Sequence, residues 1–152
     1  MAHVELSLSE AFVSAAQGST EPDSDNVGQW SLTVSRADEP CLLIDAGTRV
    51  VAISTSGCEL LCLGEPEGLI GRPLLDGGLR LLDFTANRGE LTEAEIDMIP
   101  PLLALSSGRL ARGLLRVQAA SADSSDATVD AISTPLLTDG AVAGSLTFFS
   151  EV

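Results

Sequence analysis

Residues 40–76 read PCLLIDAGTRVVAISTSGCELLCLGEPEGLIGRPLLD. The apolar runs Cys41–Ile44 and Arg49–Ile53 predict two strands, joined through Asp45-Ala46-Gly47-Thr48. That junction has hairpin chemistry, because Gly47 tolerates a positive φ at little cost. Ser56 and Glu59 fit an S-x-x-E capping box that would open a helix over residues 57–63, which Gly64 would stop. Residues 66–76 then predict short helical pieces broken by Gly68, Gly71 and Pro73, with Arg72 and Asp76 spaced for an i, i+4 surface ion pair.

On the N-terminal side, Ser7 and Glu10 form another capping box. Leu8, Ala11, Phe12, Ala15 and Ala16 share the face of a helix predicted over 7–17, and Gly18 ends it. Residues 18–36 are rich in Ser, Asp, Gly and Asn and read as a loop or linker, with Trp30 as a hydrophobic anchor. Residues 1–36 are thus expected to be an N-terminal helix plus polar linker, and residues 37–152 one folded unit.

On the C-terminal side, Thr92 and Glu95 make a third capping box, with Leu91 and Ile96 placed as its staple. Pro100 and Pro101 lack N–H donors, so that helix kinks or a second one begins there, ending at Gly108. In the predicted strand 111–119, Ala111, Gly113, Leu115, Val117 and Ala119 share a buried face, and Arg112, Leu114, Arg116 and Gln118 a wet one. Strands over 128–137 and 141–149 flank Thr138-Asp139-Gly140, a strong hairpin signal.

The chain has 152 residues, 22 acidic against 8 basic, for a formal charge of −14. All eight basic residues are Arg, and His3 is the single His. So negative a chain is a poor binder of nucleic acid or an anionic membrane surface, both of which need basic surface. Its apolar fraction of 45% supports a real core. No apolar run is long enough to span a bilayer, and residues 1–20 lack the pattern of a secretory signal. Three Cys, an odd and sparse set, fit a reducing interior, so the cytoplasm is the expected location. Eight Arg without a Lys, beside abundant Ala and Gly, suggest a bacterial genome rich in GC.

The order of elements and three of its pieces resemble the PAS domain. The pieces are LLIDAGTRVVAIS (42–54), SGCELLCLGEPEGLIGRPLLD (56–76) and STPLLTDGAVAGSLTFFSEV (133–152). The resemblance implies an α+β fold, a five-stranded antiparallel sheet with short helices on one face, preceded here by the N-terminal helix. It covers about residues 37–152. The chain departs from the family at Ser54, where Asn is frequent, and at Cys62, where Gly is usual. The family binds haem, flavin, small metabolites, or only a protein partner. Histidine-ligated haem is argued against by the position of His3. Cysteinyl-flavin photochemistry is argued against because Gly71-Arg72-Pro73-Leu74-Leu75 stands where that subtype carries its reactive Cys. No cofactor or metal is therefore expected.

The expected function is a sensory or regulatory binding module that self-associates as a homodimer through its N-terminal helix and sheet face. It would pass its state to a separate signalling protein. An apolar or uncharged small ligand is the further guest, with Ala52, Ser54, Cys58, Leu61, Val117, Ser133 and Leu146 as its expected lining. Cys58 and Cys62, four residues apart on one helix, read as small buried hydrophobes rather than as a metal or redox pair. A roadblock- or profilin-like scaffold modulating a partner GTPase is the alternative. Strand order separates the two, because a PAS-like sheet sets its first strand between the second and the last. An enzyme is disfavoured, since the chain has no Lys, no Tyr and no His within its core to supply acid/base chemistry.

Overall fold

The structure, a computed structural model, describes residues 26–76, 78–119, 121 and 124–152. The predicted helix over 7–17 lies outside them. The elements are α1 (Asn26–Arg36), β1 (Cys41–Asp45), β2 (Val50–Ile53), α2 (Thr55–Leu60), two 3-10 turns (Pro66–Gly68 and Leu74–Asp76), β3 (Leu81–Leu82), α3 (Glu93–Ile96), α4 (Pro100–Ser107), β4 (Ala111–Val117), β5 (Ala127–Thr138) and β6 (Ala141–Glu151). They form one antiparallel sheet in the order β2-β1-β6-β5-β4-β3. β1 lies between the second strand and the last, as the PAS-like expectation requires, which sets the roadblock and profilin arrangement aside. The two-residue β3 adds a sixth strand to the five expected.

Alternation along the strands divides the core in two. Leu42, Ile44, Val117, Val129, Ala131 and Phe149 point to the inner face, where Cys58 and Leu61 of the α2 segment, Leu74 and Ile99 complete a buried cluster. Cys41, Leu43, Ala52, Leu136 and Leu146 point to the outer face and are covered by Val27, Trp30 and Val34 of α1. Residues 26–36 are therefore helical where a polar loop was expected. Val27, Trp30 and Val34 recur at i, i+3 and i+7, so one apolar stripe meets the sheet despite the polar remainder. The chain needs Gly144 beneath this helix. A Cβ there would run into the Ile44 carbonyl and sit 2.9 Å from Cγ2 of Val27.

Local chemistry differs from expectation at several points. The first hairpin has its positive φ at Thr48 (65°), while Gly47 and Arg49 donate their N–H groups to Oδ1 of Asp45 at 2.9 and 3.0 Å. The carboxylate holds the turn, so the left-handed residue falls one place after the glycine. The cap of α2 is Ser54, whose hydroxyl accepts from Gly57 N at 3.1 Å, while Ser56 donates to the Asp38 carbonyl at 2.8 Å. A Ser56–Glu59 capping box does not form, because the helix starts at Thr55. It ends at Leu60, capped by Leu61, rather than running to Gly64, as Cys62 turns left-handed. Residues 71–74 run along β2 instead of coiling: Gly71 and Val50 exchange backbone hydrogen bonds with partners across this edge, and Leu74 N donates to Thr48 O at 2.9 Å. Arg72 and Asp76 are accordingly not among the ion pairs of the described residues.

Other expectations hold. Thr92 and Glu95 form both halves of the capping box, α4 begins at Pro100, and Gly108 closes it at φ 69°. β4 alternates as expected but ends at Val117. The last turn has φ of 53° at Asp139 and 82° at Gly140, the primed geometry that suits a two-residue hairpin.

Candidate functional site

The inner face of the sheet is where a guest would be expected, and side chains fill it. Gly113 and Ala131 are small, which lets α4 sit close: a Cβ on Gly113 would be 3.5 Å from Cγ of Pro100. Three buried hydroxyls lie beneath the same helix, and each is satisfied. Ser145 donates to the Pro101 carbonyl at 2.9 Å, and Ser133 and Thr147 bond to one another at 2.6 Å. Buried hydroxyls without partners would cost about 1–3 kcal/mol each, so these pairings fix how the helix sits.

Ser54 is fully buried at the corner between β2 and α2. Its hydroxyl donates to the Glu39 carbonyl at 2.8 Å and accepts from Cys41 N at 3.0 Å and from Gly57 N. Its one proton and both lone pairs are thus engaged in latching β1 to the start of α2. Cys58, Leu61 and Val117 belong to the inner cluster, and Ser133 lies under α4. Ala52 and Leu146 belong to the outer cluster beneath α1. The seven residues expected to line a ligand site are thus divided between the two faces.

Cys41 and Cys58 are buried, whereas Cys62, expected to be buried beside Cys58, is only partly so. Burial pushes the Cys58 thiol up, and the carboxylates of Glu65, Glu67 and Glu59 push it further. Burial also raises the Cys41 thiol. A thiol held protonated is a poor nucleophile and a poor metal ligand. Among the described residues, no group of three or more His, Cys, Asp and Glu is arranged to hold a metal ion. Nor is any helix there long and apolar enough to cross a membrane.

Open surfaces lie elsewhere. A cleft of about 430 Å³ runs beside β3, with Leu75, Leu79, Leu91 and Ile96 in its wall and the Arg80–Glu90 ion pair (3.0 Å) at its rim. None of the seven expected residues lines it. On the outer face of the sheet, Ile132 of β5 and Phe148 of β6 are direct cross-strand neighbours. Leu114 of β4 stands diagonally beside them, and the three are 36%, 42% and 53% exposed. Two charged pairs lie beside this patch. Arg112 holds Asp130 in a two-pronged contact at 3.2 and 2.6 Å, and Arg116 approaches Asp126 at 3.5 Å. Sequence reasoning pointed to the sheet face without these residues. The signal was present in strand parity, because Phe148 and Ile132 fall opposite the core positions Phe149 and Ala131.

No family model matches the sequence, and no curated protein matches it. Solved structures do. The chain is similar to the PAS domain of a protein from Colwellia psychrerythraea, with a TM-score of 0.55 and 13% identity over 84% of this chain and 98% of that one. It is similar to the LOV protein of Rhodobacter sphaeroides, with a TM-score of 0.58 and 16% identity over 86% and 68%. The sensor region of a sensor histidine kinase matches with a TM-score of 0.52 and 21% identity over 79% of this chain and 41% of that one. Strand order, inner-face helices and these likenesses agree: the chain carries a PAS-like domain.

Proposed function

We propose that this chain is a sensory or regulatory binding module that works as a homodimer through the outer face of its sheet and reports to a separate signalling protein. The observation that carries the reading is the apolar patch of Leu114, Ile132 and Phe148. Two chains of formal charge −14 repel one another, so they can associate only where charge is already neutralised. Beside this patch the Arg112–Asp130 pair provides that neutrality. A second copy suits the patch because a two-fold axis sets one patch against itself, and apolar side chains are self-complementary. The raised thiols and filled inner face favour binding over catalysis, and the reading needs no haem or flavin. Light scattering on the eluting protein tests it. Two-chain mass is expected for the chain and single-chain mass for Phe148→Asp; single-chain mass for both contradicts it.

A small uncharged guest is the second reading, favoured by the apolar wall of the cleft beside β3. Its volume of about 430 Å³ lies in the range of small-molecule sites.

A further inference from the structure

We propose that the free edge of β4 at Arg112 and Leu114 is a docking site for an extended peptide carrying alternating apolar and basic residues. Gln118 N donates to Arg80 O at 2.9 Å, so the even-numbered residues of β4 present their N–H and C=O groups toward the β3 side. β3 pairs only at Leu81 and Leu82, opposite Val117 and Arg116. The chain then turns away, with Asp83 N donating to Gly89 O. The next two residues on that side are Leu114 and Arg112. Among the described residues, no hydrogen bond reaches their outward-facing backbone groups. Two alternate residues of unpaired backbone form the template that an added strand completes.

Side chains beside this edge supply an apolar floor. A groove of about 170 Å³ is lined by Leu82, Phe84, Met98, Pro100 and Leu114 among others. Phe84, Met98 and Leu114 are each more than half exposed, at 57%, 62% and 53%, and Leu110 at the head of the strand is 63% exposed. Pro100 packs against Gly113 and closes the inner side, so alternate side chains of an incoming strand enter the groove or face solvent.

Charge selects the occupant. Glu95 lines the groove, and Glu93 is on the same helix, α3. Neither is in an ion pair among the described residues, whereas Arg112 is committed to Asp130, and Arg116, which also lines the groove, lies 3.5 Å from Asp126. Carboxylates outside any ion pair, on a chain of formal charge −14, favour a basic partner over a second copy of this acidic chain.

The test is titration of the isotope-labelled full chain with a capped octapeptide of alternating Arg and Val, followed by amide NMR shifts. The expected result is saturable binding with the largest shifts at Arg112 and Leu114, and at least tenfold weaker binding of the alternating Glu-Val counterpart. Leu114→Pro deletes an N–H that points away from β5, and Met98→Arg sets like charge against the peptide; each should weaken binding at least fivefold. Should the proline variant fail to fold, the Met98 variant decides. Shifts confined to Ile132 and Phe148, equal binding of the Glu-Val peptide, or no shift at millimolar peptide would each overturn the proposal. So would concentration-dependent shifts of Phe84 and Met98 without peptide, which would put a second copy in the groove.

Discussion

Cys62 sits where α2 ends, with φ at 57°. Leu63 N donates back to Cys58 O at 2.8 Å and Cys62 N to Glu59 O at 3.3 Å, the paired closure of a Schellman motif. A Cβ in the left-handed region costs about 1–2 kcal/mol, and glycine removes that cost while losing about 0.5–1 kcal/mol of chain entropy. Cys62→Gly should therefore raise stability by about 0.5–1 kcal/mol in urea denaturation; a loss of stability would show that the thiol's packing outweighs the strain. The sequence made this position legible, since a glycine is usual there in the family it resembles. It misplaced the helix start, because Ser54 and Ser56 are both capping residues two apart. Only the pairing of β1 with β2 brings Ser54 within reach of Cys41.

At the scale of elements, the link between residues 83–90 and the β4–β5 connection rests on Asp126. Arg88 grips its two oxygens at 2.6 and 2.9 Å, Ala119 N adds a bond at 3.0 Å, and Arg116 lies behind. Hydrogen bonding from Arg88, then from the Ala119 amide, holds the Asp126 carboxyl down to about 2 from its usual 3.8. A depressed carboxylate contributes stability that is full above its ordinary value and lost as pH falls toward the folded one. Amide exchange in residues 83–90 should thus quicken relative to the core between about pH 4 and pH 2, and Asp126→Asn should flatten that dependence. An unchanged profile in the variant would assign the acid sensitivity elsewhere, to Asp83 or Asp130, whose carboxyls are also lowered. Elements with a local signature were readable in the chain: Asp139-Gly140 set the last hairpin, and Thr92 with Glu95 set α3. α1 and β3 were not, because their order comes from contact. α1 has a polar composition and one buried stripe, and β3 is two residues paired with β4.

For the whole molecule, the distribution of charge matters more than its total. A formal charge of −14 sets copies of the chain against one another, and in the proposed dimer they meet where Arg112 is already spent on Asp130. Small residues inside, Gly113 and Ala131, let α4 sit close and close the inner core. The expected ligand lining is split between the faces because parity tells which residues of one strand share a face, while only the pairing of strands sets Ala52 and Leu146 together on the outer face and Val117 on the inner one. The most direct test of the dimer is to weigh Ile132→Lys and Ile132→Glu, separately and mixed, by sedimentation equilibrium. Each variant alone should have single-chain mass, and the equal mixture should recover the two-chain mass of the unaltered chain. Single-chain mass for the unaltered protein, or two-chain mass for either variant alone, would contradict association through this face.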